Sequence, residues 1–136
     1  MSINRGDLRK ISVLILLASF MIFKNVFAEE SAKEALDKGI EYAQEGRYDE
    51  AISAYNEAIE INRNYAQAYS NRGDAYAKLG DLSQAISDCA KAIDIDPDLA
   101  EAYYNRGNTY NKQGNLPQAI SDFTKAIKIN SNYAQA

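Results

Sequence analysis

Residues 66–99 read AQAYSNRGDAYAKLGDLSQAISDCAKAIDIDPDL, and residues 100–133 repeat this stretch without a gap. Of the 34 aligned positions, 19 are identical, and residues 32–65 form a weaker copy in the same register. Self-similarity at a fixed period of this length is the signature of an architecture built by stacking repeats. The sequence therefore predicts three copies of one structural unit.

Each copy is predicted to contain two helices. The spacing of apolar residues places them at about 32–45 and 49–62, 66–79 and 83–96, and 100–113 and 117–130. A glycine separates the two helices of every copy, at Gly46, Gly80 and Gly114, where a helix end favours a left-handed residue. Pro117 suits the first turn of the last helix, and Pro97 suits the turn between the second and third copies. No alternating strand pattern competes with these helices.

The eighth position of every copy is a glycine within the first helix: Gly39, Gly73 and Gly107. A glycine there costs about 1 kcal/mol relative to alanine, so its recurrence needs a packing reason. We predict a close crossing with the second helix, where the residues expected opposite are Ala51, Ala85 and Ala119. Tyrosines at positions 4 and 11 would fill the space on either side of the crossing.

These positions resemble the tetratricopeptide repeat (TPR) family. Its pattern has an aromatic residue at 4, a small residue at 8, Tyr at 11, Gly at 15, Ala at 20, an aromatic at 24, Ala at 27 and Pro at 32. Copy two departs from it only at Cys89, copy three has Ser131 for the proline, and copy one has Ala35 and Arg63 at positions 4 and 32. The resemblance implies an all-α, right-handed superhelical solenoid of three helix-turn-helix repeats, at 32–65, 66–99 and 100–133. It also implies a non-catalytic module that binds peptides or protein surfaces in a concave groove.

The first helices present a second face, opposite the core stripe, formed by positions 2, 5, 6, 9, 12 and 13. On this face we predict the peptide-binding side chains Asp37, Ile40, Gln44, Ser70, Asn71, Asp74, Lys78, Tyr104, Asn105, Asn108 and Lys112. Asn71 and Asn105 share position 6, where an amide can pair with the main chain of a peptide of any sequence. The alternative is that both are ordinary exposed polar residues.

A second binding mode of the family grips an acidic chaperone tail with a basic clamp. The clamp needs Lys, Asn, Asn, Lys and Arg at five positions, which here read Leu36, Ile40, Asn71, Glu101 and Asn105. Only Asn71 matches, and Glu101 carries the wrong charge for an acidic guest. We therefore expect this chain not to use the basic clamp.

Two arginines recur with two aspartates across the helix pairs. Arg72 and Arg106 occupy position 7, and Asp88 and Asp122 occupy position 23 of the same copies. We predict structural Arg–Asp pairing between helices; the alternative is that the arginines grip a ligand. Copy one has Lys38 and Ala54 at these two positions, so it cannot form the pair.

The composition disfavours catalysis and cofactor binding. The chain of 136 residues has no histidine, which removes the commonest proton shuttle and metal ligand. Its one cysteine, Cys89, is predicted to be a small core residue because it occupies the position of Tyr55 and Phe123. Residues 94–98 (DIDPD) lack the glycine and glutamate of a calcium loop and predict an inter-repeat turn. We expect no catalytic residues, no metal and no cofactor.

The N-terminus predicts export. Arg5, Arg9 and Lys10 precede an apolar run at 11–23, which is shorter than the ~20 residues that a membrane span needs, and residues 26–28 (VFA) offer a cleavage site. We predict a signal peptide at 1–28 and a periplasmic or secreted protein; the alternative is an uncleaved N-terminal anchor. Cleavage would reduce 15 basic and 19 acidic residues to 11 and 18, a net charge of −7. Such a surface disfavours nucleic acid and favours basic or neutral polypeptides.

The C-terminal edge of the stack carries the alternative function. Residues 134–136 (AQA) match 66–68, where a fourth copy would begin, so the last helix pair would lack a covering helix. Its apolar residues Ile120, Phe123 and Ile127 would then mark an association surface. The alternative to peptide binding is therefore a scaffold or self-assembling subunit that forms a homo-oligomer through this edge; a fragment of a longer repeat protein would also fit.

Overall fold

The computed structural model describes residues 4–131, and this range contains six α-helices and no strand. The helices are α1 (Arg5–Gln44), α2 (Tyr48–Ile61), α3 (Ala66–Leu79), α4 (Leu82–Ile95), α5 (Ala100–Lys112) and α6 (Leu116–Ile129). They pack as three pairs, α1 with α2, α3 with α4 and α5 with α6, and each pair contacts the next. The molecule is an all-α repeat solenoid, as predicted. Residues 1–3 and 132–136 lie outside the described range, and with them the three residues that match the beginning of a repeat.

The helix bounds agree with the predicted ones to within one residue, except at the start of α1. Each glycine between the helices of a pair has a positive φ, 76° at Gly46, 91° at Gly80 and 78° at Gly114. Only glycine adopts this conformation without strain, and it allows the chain to reverse directly after a helix. Pro117 lies in the first turn of α6, and Pro97 lies in the turn between α4 and α5, where the DIDPD stretch ends.

Helix α1 differs from the prediction because it begins at Arg5 and runs through the apolar segment into the first repeat without a break. The large apolar side chains between Leu8 and Phe27 are exposed. Over an 18-residue window the mean hydropathy of α1 is 2.1, so by length and composition this helix could cross a membrane. A signal sequence near the N-terminus passes the same test, so both interpretations of residues 1–28 stay predictions.

The predicted close crossing within each pair is confirmed. A Cβ added at Gly73 would lie 2.8 Å from Cys89 Sγ and 3.0 Å from the Ala85 carbonyl oxygen. At Gly107 it would lie 2.8 Å from the Phe123 ring. The alanines expected at the crossing are buried, at Ala51, Ala85 and Ala119. The space beside each glycine is occupied by the residue at position 24 of the same copy, which is Tyr55, Cys89 or Phe123. Cys89 is fully buried, as predicted, and desolvation raises the pKa of its thiol to about 12.

The two predicted Arg–Asp pairs are present and bidentate. Arg72 donates from Nε and Nη2 to Asp88, with both distances 2.7 Å, and Arg106 donates likewise to Asp122 at 2.8 Å. The aspartates are 4% and 6% exposed. The donors of both arginines face buried carboxylates on the other helix of the pair. The predicted structural role of the arginines, joining the two helices, is therefore confirmed. Arg72 also donates to Asn56 on α2 at 2.6 Å, which links the first pair to the second.

Candidate functional site

A groove of about 500 Å³ opens where α1, α3 and α5 lie side by side, with α2 contributing two tyrosines. Short turns and a constant period place equivalent faces of these first helices next to one another, so their polar positions form one surface. The groove is lined by Ile40, Ala43, Gln44, Tyr48, Tyr55, Gln67, Asn71, Asp74, Lys78, Glu101 and Asn105.

Six of the eleven side chains predicted to bind a peptide line this groove: Ile40, Gln44, Asn71, Asp74, Lys78 and Asn105. Asp37 instead accepts a hydrogen bond from Lys33 Nζ at 2.8 Å on the exposed side of α1. The Tyr104 ring packs against Phe123, with 5.8 Å between centroids. Lys112 Nζ donates to the Ala77 carbonyl at 3.1 Å, and Asn108 is half-buried outside the groove.

The prediction that Ser70 lies on the open face is wrong. Its side chain is fully buried, and its hydroxyl accepts a hydrogen bond from Asn105 Nδ2 at 3.2 Å. The physical reason is the packing of α3 against α5, which covers position 5 of α3. A projection of one helix cannot show this, because the covering atoms belong to the next repeat. Asn105 is itself only 8% exposed, so its amide nitrogen has a structural role.

The polar side chains of the groove form a partly satisfied network. Gln67 Nε2 donates to Asn71 Oδ1 at 3.1 Å and to Glu101 Oε2 at 2.6 Å, which joins α3 to α5. Within residues 4–131, Asn71 Nδ2 and Asn105 Oδ1 make no hydrogen bond. The groove thus presents one free amide donor and one free amide acceptor on neighbouring helices, the two groups that a peptide main chain needs.

Tyr55 is a groove residue that the sequence reasoning placed only in the core. Its ring passes beneath Gly39, and the side chain is 1% exposed, yet it reaches the floor of the groove. Burial, followed by the charges of Asp74 and Glu101, raises the pKa of its phenol to about 12. A signal was present in the sequence, because position 24 is Tyr, Cys and Phe in the three copies and only Tyr55 adds a hydroxyl.

Three charged side chains line the groove: Asp74, Lys78 and Glu101. None of them takes part in an ion pair with another residue of the described range. This differs from the arginines of the second and third pairs, whose charges are matched inside the fold. The charges of the groove are therefore available to a guest.

Family models match most of the repeat region. A model described as TPR repeat matches residues 39–80 and 73–114, and one described as tetratricopeptide repeat matches residues 100–133. A search of curated proteins found no significant match.

Solved structures similar to this chain carry the same repeat. The Arabidopsis OM64 TPR domain is 30% identical, with a TM-score of 0.74 over 77% of this chain and 87% of that one. The TPR2B domain of yeast Sti1, solved in a complex with pHsp70, is 32% identical, with a TM-score of 0.72 over 76% of this chain and 82% of that one. The first TPR of Spaghetti (RPAP3), bound to the HSP90 peptide SRMEEVD, is 28% identical, with a TM-score of 0.73 over 76% and 82%.

Proposed function

The chain belongs to the tetratricopeptide repeat family, and from this premise we propose that it is a non-catalytic module that binds an extended peptide segment of a partner protein in its groove. The observation that carries the proposal is the pair of unused amide groups, Asn71 Nδ2 and Asn105 Oδ1, on the wall of a groove of about 500 Å³. A donor and an acceptor on adjacent helices can both pair with one peptide unit, whatever the side chains of the guest.

The charges of this groove favour a basic or neutral guest. The Spaghetti domain was solved with a peptide that contains two glutamates. Here Asp74 and Glu101 face the cavity, and Lys78 is the only basic side chain among its lining residues. An acidic tail would meet like charges, which disfavours it. We therefore do not assign the guest of that similar structure to this chain.

Replacement of Asn71 by Ala tests the proposed function. Asn71 is the cleaner position because its Nδ2 has no partner within residues 4–131, whereas Asn105 supports the contact between α3 and α5. Loss of a hydrogen bond to a buried peptide group costs about 1–2 kcal/mol, so the dissociation constant should rise roughly tenfold. Fluorescence anisotropy with a labelled peptide selected on the wild-type chain measures this.

The matched control is Asn111→Ala, which removes the same amide from an exposed site on α5 outside the groove lining. It should bind the selected peptide as the wild type does. Equal affinities for the wild-type chain and Asn71→Ala would contradict binding through the groove.

We propose that the protein acts outside the cytoplasm, where residues 1–28 direct it. The support is the sequence pattern of a basic front, an apolar run and a small-residue site. Cell fractionation with N-terminal sequencing distinguishes a cleaved signal peptide from an uncleaved N-terminal anchor. A soluble product beginning at Glu29 indicates cleavage, an intact chain in the membrane fraction indicates a tether, and an intact cytosolic chain contradicts export.

A second candidate function is assembly through the C-terminal edge, where Leu116 lies one turn before the predicted edge residue Ile120 on α6. These side chains are 55% and 64% exposed, which favours association, while Phe123 and Ile127 are half-buried. Analytical ultracentrifugation, in a detergent of known micelle mass, compares the oligomeric state of the wild type with that of the double variant Leu116→Lys/Ile120→Lys. Self-association that the double variant abolishes supports this function, and a monomeric wild type removes it.

A further inference from the structure

The Tyr55 hydroxyl is the most deeply placed polar group of the groove. The ring is held under α1, because a Cβ at Gly39 would overlap it, so the side chain has little freedom to turn away. Tyr55 makes no hydrogen bond with any residue in 4–131. No buried side-chain N or O atom of that range is sealed off without a partner, so this hydroxyl must open into the cavity that it lines. A polar group placed in this way points to a ligand.

Two carboxylates act on the same hydroxyl. Asp74 from α3 and Glu101 from α5 both line the cavity, and their charges add to desolvation in raising the pKa of Tyr55. The phenol therefore stays protonated at neutral pH, with its oxygen free to accept a hydrogen bond. Glu101 is held in place by Gln67, whereas the Asp74 side chain has no hydrogen-bond partner within the described range. The floor of the groove is consequently rich in acceptors and negatively charged.

From this arrangement we infer that the groove contains a specificity pocket for a basic side chain, lysine or arginine, of the guest peptide, formed by Tyr55, Asp74 and Glu101. The inference rests on the proposed function, because it assigns the chemistry of the peptide that the groove would bind. An ammonium or guanidinium group supplies several donors and a positive charge, which match one phenol oxygen and two carboxylates. Ile40 and Ala43 on α1 provide an apolar wall for the methylene groups of such a side chain.

Lys78 does not cancel this preference. It lies in the last turn of α3 and is exposed, so its ammonium group can remain in water. Lys33 is paired with Asp37 on α1, and Lys112 donates to a main-chain carbonyl. The charged groups that act on the Tyr55 phenol are those of Asp74 and Glu101. Copies two and three have Cys89 and Phe123 at the position of Tyr55, so this pocket occurs once in the stack.

Selection from a random heptapeptide library, with the full chain kept in a mild detergent as the target, separates the proposed function from the pocket. Enrichment of peptides with a lysine or arginine at one fixed position supports both. Enrichment of peptides without a recurring basic residue supports groove binding and overturns the pocket. Failure to enrich any peptide contradicts peptide binding itself, and with it the pocket.

Three isosteric variants then test the pocket residues: Tyr55→Phe, Asp74→Asn and Glu101→Gln. The probes are one selected peptide and a copy of it with the basic residue replaced by norleucine, which retains the apolar stem. We expect the wild type to prefer the basic peptide at least tenfold, and each variant to reduce this preference about fivefold because it lowers the affinity for the basic peptide more than the affinity for the norleucine peptide. Asp94→Asn, an exposed carboxylate on α4 outside the groove lining, is the control and should keep the full preference.

Circular dichroism melts of each variant show whether the fold is retained. Tyr55→Phe is the decisive variant because it keeps the ring beneath Gly39 and removes only the hydroxyl. A folded Tyr55→Phe and a folded Asp74→Asn that both retain the wild-type preference would overturn the pocket.

Discussion

The first helix pair and the two that follow share one backbone period but hold their helices together with different chemistry. In pairs two and three, a buried bidentate ion pair joins the helices, Arg72 with Asp88 and Arg106 with Asp122. The first pair has Lys38 and Ala54 there instead, and its large buried residue is Tyr55. Structurally equivalent repeats can thus divide their roles: two provide rigid links, and one contributes a hydroxyl to the groove.

The largest expected effect is the loss of a buried aspartate from the second pair. Asp88→Ala would leave Arg72 half-buried beside an empty site, which we expect to lower the free energy of unfolding by about 3 kcal/mol. Urea denaturation followed by circular dichroism measures the change. The double variant Arg72→Lys/Asp88→Ala gives the second pair the residues of the first pair. It should lose less stability than Asp88→Ala, because a lysine side chain can place its ammonium group in water and so leaves no buried unpaired charge. A double variant less stable than Asp88→Ala would contradict this division of roles.

The next largest change in stability is expected from adding a methyl group where the helices of a pair cross closely. Gly39→Ala and Gly73→Ala each gain about 1 kcal/mol of helix propensity but overpack a buried contact, and we expect a net loss of about 1–2 kcal/mol from each. The two variants should differ in binding. In Gly39→Ala the displaced group is the Tyr55 ring, so peptide affinity should fall, whereas Gly73→Ala displaces Cys89 and should leave affinity unchanged. Equal affinities would show that Tyr55 does not support the groove.

The pH at which the free energy of unfolding begins to fall should differ between the contributions of the first and second helix pairs. Burial raises the pKa of Cys89 from 9.0 to about 12 and that of Tyr55 from 10.0 to about 12. Above pH 9 the unfolded state loses protons that the native state retains, so stability falls as pH rises, by at most about 1.4 kcal/mol per pH unit for each group. In Cys89→Ala the fall should begin near pH 10 instead of pH 9. Urea midpoints measured from pH 7 to 11 test this, and an unchanged onset would contradict it.

The smallest effect is expected from the exposed ion pair of α1. Lys33 and Asp37 are 2.8 Å apart, but more than half of each side chain is exposed. Solvent screens such a pair, in contrast to the buried pairs. Lys33→Gln should leave the urea midpoint unchanged within error, and a shift as large as that of Asp88→Ala would show that burial does not separate the two kinds of pair.

The sequence predicts most of the fold because the determining contacts recur every 34 residues. Gly80 and its equivalents show where helices end, and the joint recurrence of Arg72 with Asp88 indicates an ion pair. The site is predicted less completely, because it depends on contacts between repeats. Ser70 is covered by α5, and Tyr55 reaches the groove from α2, so neither placement follows from the face of a single helix. The continuity of α1 through the apolar segment was not predicted, because the predicted start at residue 32 follows the repeat register. The helix continues because no glycine or proline lies between residues 24 and 31.

Mapping of a bound peptide tests the central claim most directly. Amide chemical shifts of the chain are compared by NMR before and after saturation with a peptide from the library selection. We expect the largest changes at Ile40, Asn71, Asp74 and Asn105, on the three helices that line the groove, with little change on α6. Changes confined to α6 around Leu116 and Ile120 would contradict binding in the groove and would favour the C-terminal edge as the interaction surface.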